Sequence, residues 1–569
     1  MRSRLGLVTG ITILAMVAFG STQGALSGGS AAAAAGGAFT YQPKHAGGTV
    51  HLLAYAAGGT LDPQVNYVNQ YFQLFQATYD GLVNFEKASG PASNNIVPDL
   101  AVALPKVTNG GKTYTFTLRT GIKFSNGQLV TVKDVLASFQ RIFKVLSPNS
   151  ASWYNVIVGG PACVTTPATC TLKGGVVVNS ATNKVVINLL KPDAEFLDQI
   201  ALPFGSILPA DTPSKDQGST PIPGTGAYEF ASYNPSTALV MKRNPYFKVW
   251  SATAQPQGYP NEIEETFGET VESEVTSVEN NQANWLFDTI PTDRLPQVST
   301  KYVSQLHIQK LAATVYFPMN VNIAPFNNLK ARQAVNYAID KKDIVNLVGG
   351  SKLATPTCQI LPPAFPGYKQ YCAYNSTKSA TYTGPDLAKA KALVKASGTA
   401  GDKVGVVVPN DPVDLSIGEY IQSVLNSIGY KATLKPLSLN IEFPYISNTK
   451  NKVQISWTEW FQDYPAASDF LNVLLGCANF HPGSGSSTNI SGLCDKTIGA
   501  KMQAAEILGQ TNLTKANVMW GTIDQAIMTK DAPWVPLYTP QLADFVSKGT
   551  GNYQFSSLYF MYVDQLWVK

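Results

Sequence analysis

Histidine is the scarcest chemical group in this chain: His45, His51, His307 and His481 are the only four, and they lie far apart. The H-E-x-x-H helix of zinc hydrolases is therefore absent, as is the G-x-S-x-G turn that presents a nucleophilic serine. Spacing alone leaves a histidine-dependent triad open, but each lone histidine reads as structural. Gly111-Lys112-Thr113 looks like the end of a phosphate-binding loop, yet the required earlier glycine is Lys106. Gly224-x-Gly226 is followed by Glu229 where a dinucleotide-binding turn needs its third glycine. Charged residues make up only 14% of the chain and basic ones never cluster, which argues against a nucleic-acid partner. No catalytic residue, metal ligand or cofactor is expected.

Cysteine is missing before Cys163. That excludes a lipid-attachment cysteine at the end of a leader, although the N-terminus reads as one. Arg2 and Arg4 precede an apolar run at residues 7–19, and the small residues 31–35 offer cleavage sites. The apolar run holds about 13–15 residues, short of the ~20 that span a bilayer. Residues 1–38 are expected to be a signal peptide and linker of an exported protein, periplasmic or at the cell surface, unless an uncleaved leader retains it as an anchor. Losing the two arginines lowers the formal charge from +5 to +3 (5 − 2). The six cysteines suit an oxidising compartment and fall in close pairs. Of the many possible connectivities, the sequential one is expected: Cys163–Cys170, Cys358–Cys372 and Cys477–Cys494. Their spacing is too wide for a zinc site.

At 569 residues the chain exceeds a single core, so two or three lobes are expected. A glycine turn leads into a strand at 49–55, then into the loop Ala56-Ala57-Gly58-Gly59-Thr60, where a ligand could approach the backbone. Tyr114, Phe116 and Leu118 alternate with threonines, as on a strand with one buried face. Thr131-x-x-Asp134 opens a helix that buries Val135, Leu136, Phe139, Ile142, Phe143 and Leu146. Hairpins are expected at 176–189 and 228–241, and residues 221–226 form a Pro/Gly connector. The stretch 262–279, with seven glutamates, reads as a solvated helix face. Residues 314–322 read as a strand and 329–348 as one helix. Alternating helices and strands up to 457 indicate an α/β lobe with a mainly parallel sheet. Residues 532–538 read as too rich in proline for a central strand, and the last, aromatic residues should pack back on another lobe.

One stretch concentrates chemistry: Ser456-Trp457-Thr458-Glu459-Trp460-Phe461-Gln462-Asp463-Tyr464-Pro465. It is expected to follow an apolar strand, 453–457, as an aromatic turn beyond the strand's C-terminal end, where α/β sheets bind ligands. Aromatic walls around a few charges line many small-molecule and peptide pockets. A buried strand end with surface acids is the plainer alternative.

Several segments, in order from about 47 to 540, resemble the extracytoplasmic solute-binding proteins of peptide/nickel-type ABC transporters. They include Leu61-Asp62-Pro63, Tyr79-Asp80-Gly81-Leu82-Val83 and Val97-Pro98-Asp99-Leu100-Ala101. The most recognisable block runs from Gly111-Lys112-Thr113-Tyr114 through Gly121-Ile122-Lys123-Phe124-Ser125-Asn126-Gly127 to Val132-Lys133-Asp134-Val135. Gly224-Thr225-Gly226-Ala227-Tyr228, Ala324-Pro325-Phe326-Asn327, Arg332-Gln333-Ala334-Val335-Asn336-Tyr337-Ala338 and Ala532-Pro533-Trp534-Val535-Pro536-Leu537-Tyr538 follow.

The resemblance implies an α/β fold of the type II periplasmic-binding-protein kind, with two hinged lobes and an inserted third subdomain. Residues 45–88, 218–313 and 533–569 would form lobe I, 89–217 the insertion and 314–532 lobe II. It implies a monomer without enzymatic activity that binds a short extended peptide between the lobes and delivers it to a membrane permease. In such peptide binders a Trp-x-x-Asp receives the ligand's α-ammonium, and Trp460-Phe461-Gln462-Asp463 has that spacing. Asp463 is thus the expected amine receptor, with Trp457, Trp460 and Tyr464 as walls, Glu459 as a bystander, and Ala57 and Gly58 as backbone contacts from lobe I. An oligosaccharide stacked on Trp457 and Trp460 is the alternative ligand. A secreted hydrolase is the rival from another class.

Overall fold

The computed structural model describes residues 40–485 and 487–569, without the side chains of residues 439 and 440. The expected leader, residues 1–38, lies outside them. Among the described residues no helix is long and apolar enough to cross a membrane.

The first lobe is built on a five-stranded sheet. Its order is Trp285–Leu286, Thr49–Ala54, Glu262–Phe267, Ala238–Arg243, Tyr228–Asn234. Thr49–Ala54 is parallel to both neighbours, and the last two strands form the expected hairpin. Val50, Leu52 and Ala54 alternate into a core shared with Phe72 and Phe75 of the helix Asn69–Thr78. The C-terminal residues return to this core: Tyr562, Val563 and Leu566 are buried in it. Lys87 and Asp564, 477 residues apart, form a buried ion pair there at 2.8 Å.

Beside it lies an antiparallel four-stranded sheet in the order Lys106–Thr108, Thr113–Thr117, Lys184–Asn188, Val176–Asn179. The helix Val132–Lys144 packs against this sheet and starts at the expected capping box of Thr131 and Asp134. It buries Val135, Phe139, Ile142 and Phe143, but it ends before Leu146, which takes a positive φ and points to solvent.

The second lobe contains a three-stranded parallel sheet, Lys431–Leu437, Lys403–Pro409, Ile455–Ser456. The helices Leu329–Ala338, Leu387–Ser397 and Pro412–Ser427 supply much of its core. Two chain segments join the lobes side by side. Leu306–Lys310 and Ala313–Pro318 run in series, and Trp534–Phe545 returns antiparallel to both. All three disulfides are the sequential ones, with Cα–Cα distances of 4.6, 4.9 and 4.7 Å.

Several expectations need correction. Trp534–Phe545 is a central strand despite its prolines, pairing with three others. Proline lacks only the donor, and its carbonyl still accepts. The ladder shifts register opposite Pro536, whose oxygen accepts from Lys341 Nζ, while Pro540 O accepts from Leu311 N at 3.2 Å. The helix at 329–348 is two helices, Leu329–Ala338 and Lys341–Leu347. Ile339 is extended, and the Asp340 carboxylate caps Lys342 N at 2.9 Å, which starts a new helix. The acidic stretch is a strand, Glu262–Phe267, followed by the helix Val271–Glu279. Glu265 and Glu274 are buried rather than solvated. The parallel sheet has only three strands, and the strands at the crossing are antiparallel.

Candidate functional site

The stretch around Asp463 leaves one sheet and joins another. Ile455 and Ser456 pair in parallel with Val406 and Val407. Residues 458–461, expected as a turn, instead form the strand Thr458–Phe461, antiparallel to Ala313–Pro318, with Trp460 opposite Thr314. Strand alternation turns Thr458 and Trp460 inward and leaves Glu459 and Phe461 half-buried. The Glu459 charge bears on buried Asp414 and Tyr538.

The tryptophans belong to two different cores. Trp457 is 3% exposed among the aliphatic residues of the parallel sheet. Trp460 is 5% exposed among Tyr316, Phe470, Leu471 and Trp534. The structure therefore does not bring Trp457 into the same cluster as Trp460.

A buried carboxylate organises the end of the motif. Asp469, fully buried in the first turn of the helix Ala467–Leu475, accepts from the Asp463 backbone N–H at 2.9 Å and from Trp460 Nε1 at 3.3 Å. One carboxylate oxygen thus fixes both ends of the Trp-x-x-Asp spacing. Its negative charge also suits the helix N-terminus where it stands.

Three consecutive residues then meet the first lobe. Gln462 Nε2 donates to Ser557 Oγ at 3.1 Å. The Asp463 carboxylate accepts from the Tyr67 hydroxyl. The Tyr464 ring meets Trp153 edge-on at 5.7 Å. Burial, followed by the Asp469 charge, pushes the Tyr464 phenol well up, so it is neutral.

Ala57 and Gly58 lie on a loop that leads to Tyr67. Asn66 Nδ2 donates to Gly58 O at 2.9 Å and to Thr60 O at 2.6 Å, and Asn66 Oδ1 accepts from Val68 N at 2.9 Å. A Cβ on Gly58 would stand 2.8 Å from the Tyr71 ring, so this close approach requires glycine. Ala57 packs against the first-lobe core. Asp463 and this loop are therefore connected through Tyr67 and Asn66.

Two acidic clusters flank the site. In the first lobe, Tyr55 N donates to Asp288 Oδ2 at 2.6 Å, and Gln70 Nε2 bridges Ala56 O and Glu265 Oε1 at 3.2 and 3.0 Å. Burial pushes Glu265 up to about 8. Burial and the neighbouring Asp288 push Glu274 up to about 9. The second cluster spans the lobes. Glu195 Oε1 accepts from Ser468 Oγ at 2.8 Å, and Glu506 Oε1 accepts from Asn472 Nδ2. Burial, then the charges of Asp193 and Glu506, hold Glu195 well above the usual carboxylate range. Burial likewise raises Asp193, Asp198 and Glu506.

Two α/β lobes joined by paired strands, with a carboxylate where they meet, make the architecture of a two-lobed solute receptor. Residues 95–482 match the family model for bacterial extracellular solute-binding proteins, family 5 (middle region), and the chain belongs to that family. Among curated relatives, "Di/tripeptide-binding protein 2" of Pseudomonas aeruginosa (strain UCBPP-PA14) is 26% identical over 551 residues, covering 92% of this chain and 95% of the relative. Among solved structures, "Clavulanic acid biosynthesis oligopeptide binding protein 2" superposes with a TM-score of 0.82 at 22% identity, covering 92% and 96% of the two chains. The periplasmic binding protein DppA of Helicobacter pylori, solved with the peptide STSA, gives 0.69 at 20% identity, covering 92% and 99%.

Sequence reasoning missed Tyr67, Trp153, Glu195 and Asp469. For Asp469 a local signal exists: an acid in the first turn of a helix directly after the Trp-x-x-Asp spacing. The other three reach the site only through tertiary structure.

Proposed function

We propose that this protein is the extracytoplasmic substrate-binding component of an ABC importer, that it binds short peptides in an extended form between two closing lobes, and that it hands them to the permease. The observation that carries this reading is the position of Asp463, whose backbone N–H is held by Asp469 and whose carboxylate stands where the second lobe meets the first. A protonated α-amine withdrawn from water needs such a partner, and a hydrogen bond to a charged group nets ~1.5–3 kcal/mol. The names of the relatives point the same way: a di/tripeptide-binding protein, and a neighbour solved with a bound peptide.

The lobe boundaries given above belong to this proposal, with residues 306–318 and 534–545 as the hinge. Ala57 and Gly58 act in it as backbone contacts to the ligand, and Trp460 and Tyr464 as walls. The chain acts as a monomer and carries out no chemistry. The burial of Trp457 and Trp460 in separate cores favours a peptide over a sugar stacked between them. Native mass spectrometry of the purified protein tests the reading. Co-purified masses of short peptides are expected, whereas hexose increments would replace the peptide with a saccharide.

A further inference from the structure

Away from the meeting of the lobes, one face carries lysines without acids. Residues 119–130 and 244–258 contain no Asp or Glu, yet they hold Arg119, Lys123 and Lys248. Lys123, Tyr246, Lys248, Val249 and Trp250 line a surface pocket of ≈ 370 Å³. The Lys123 ammonium stands 5.2 Å from the centre of the Tyr246 ring. Leu129 lies opposite Lys123 in an antiparallel bridge, so both side chains leave the same side of that ribbon. Leu129, Tyr246 and Val249 are exposed. Trp250 Nε1 donates to the buried Asp99 Oδ1 at 2.8 Å, which fixes the pocket wall from behind. Among the described residues neither Lys123 nor Lys248 forms an ion pair, whereas Lys242 pairs with Glu262 at 3.6 Å. A second pocket, of ≈ 690 Å³, shares Val249 and is lined by Thr40 and Tyr41. The described chain starts at that Thr40, and the apolar run at 7–19 precedes it in sequence.

We propose that this face is an interaction surface for an anionic lipid bilayer, with Lys123 and Lys248 among the headgroups and Leu129, Tyr246 and Val249 at their level. Charge complementarity carries the choice of partner. No residue lining either pocket is acidic, so nothing on their walls repels a negative surface. Such a surface attracts lysines that come within a Debye length of it. Tyrosine and lysine each join an apolar body to a polar tip, the form that suits the boundary between water and lipid. The place where the described chain begins agrees with this orientation, because the segment expected to engage the membrane during export stands closest along the chain to this same face. Two lysines and a few apolar side chains give reversible attachment rather than anchoring. Attachment by this face concentrates the receptor at a membrane surface and leaves the meeting of the lobes around Asp463 uninvolved.

Vesicle flotation tests this with wild type, a Lys123→Gln, Lys248→Gln variant and a Tyr246→Ser, Val249→Ser variant, all beginning at the same residue. Each is mixed with vesicles of phosphatidylglycerol and phosphatidylcholine, and with vesicles of phosphatidylcholine alone. Wild type is expected to float with the anionic vesicles, less so as salt is raised. The lysine variant should bind them about 25-fold more weakly, about fivefold for each lysine lost. The Tyr246, Val249 variant should also bind more weakly while keeping the salt dependence. Thermal midpoints should stay at the wild-type value, since the replaced side chains lie at the surface. Equal binding by wild type and the lysine variant overturns the proposal, and so does equal binding of wild type to both kinds of vesicle. Absence of wild-type binding to either kind overturns it as well. If the lysine variant then also loses affinity for the permease in detergent, the face belongs to a protein partner instead of a lipid surface.

Discussion

Where Asp463 meets Tyr67, the two lobes offer each other an acceptor and a donor; where Glu195 meets the helix Lys496–Gly509, both sides bring acids. The first contact is matched in charge and shape, and Trp153 on Tyr464 extends it. The second relies on neutral donors, Ser468 for Glu195 and Asn472 for Glu506, around carboxyls whose pKa burial raises. Lys191 is the nearby cation that eases Asp193 and Glu506, and it is exposed. The phenol of Tyr114, pushed up by burial and then by Asp193 and Glu195, adds no positive charge. The acid zone should therefore act as a proton-linked latch.

The largest effect is expected from breaking the matched zone. Asp463→Ala should weaken peptide binding by ~2–5 kcal/mol, because the ligand's ammonium is left buried and unpaired. Calorimetry showing unchanged affinity would remove Asp463 from the site.

Next comes the support beneath it. Asp469→Ala leaves Trp460 Nε1 and the Asp463 amide without their shared acceptor, and an orphaned buried donor costs ~1–3 kcal/mol. Chemical denaturation should show the loss of stability, and peptide affinity should fall with it. A stable variant with normal affinity would mean that the motif holds its own shape.

The acid zone sets the third effect. In the closed form the carboxyls of Glu195, Asp193 and Glu506 are raised, whereas in an open form, exposed to water, they take ordinary values near 4. Groups raised in the closed state favour closure fully below the ordinary value, and the benefit is lost as pH rises through the raised one. Ligand affinity should therefore fall from pH 5 to pH 8, by up to about tenfold per pH unit for each proton that closure takes up. A Glu195→Gln, Glu506→Gln variant should flatten that profile. A profile as steep as wild type in the variant would place the titrating group elsewhere.

The smallest effect is expected from Ser468→Ala. It removes one neutral donor to Glu195, worth ~0.5–1.5 kcal/mol, and should steepen the same pH profile. An unaltered profile would show that water replaces the hydroxyl.

Legibility in the sequence followed the range of the interaction that decides each feature. The capping box at Thr131, the strand of Tyr114 and Phe116, with Leu118 just past its end, and the close cysteine pairs are local, and all were readable. The Trp460–Asp463 spacing was readable through family resemblance, and its neighbour Asp469 stands six residues further on. Pro536 misled because proline removes a donor, yet a strand flanked by several partners tolerates one missing bond beside a register shift. The glutamates at 262–279 misled because charge predicts exposure, whereas strand alternation put Glu265 on the same face as Ile263 and Phe267. Tyr67 and Glu195 could not be found by spacing, since their partners lie 396 and 273 residues away.

The ion pair of Lys87 with Asp564 also orders events during synthesis. Many second-lobe partners lie close in sequence, so that lobe can gather itself as soon as it is made. The first lobe needs its last residues: Tyr562, Val563 and Leu566 fill its core, and the lysine has its counter-charge only once Asp564 arrives. A lone buried charge is strongly destabilising, and contacts this distant form slowly. The half of the molecule made first is thus the last to be finished.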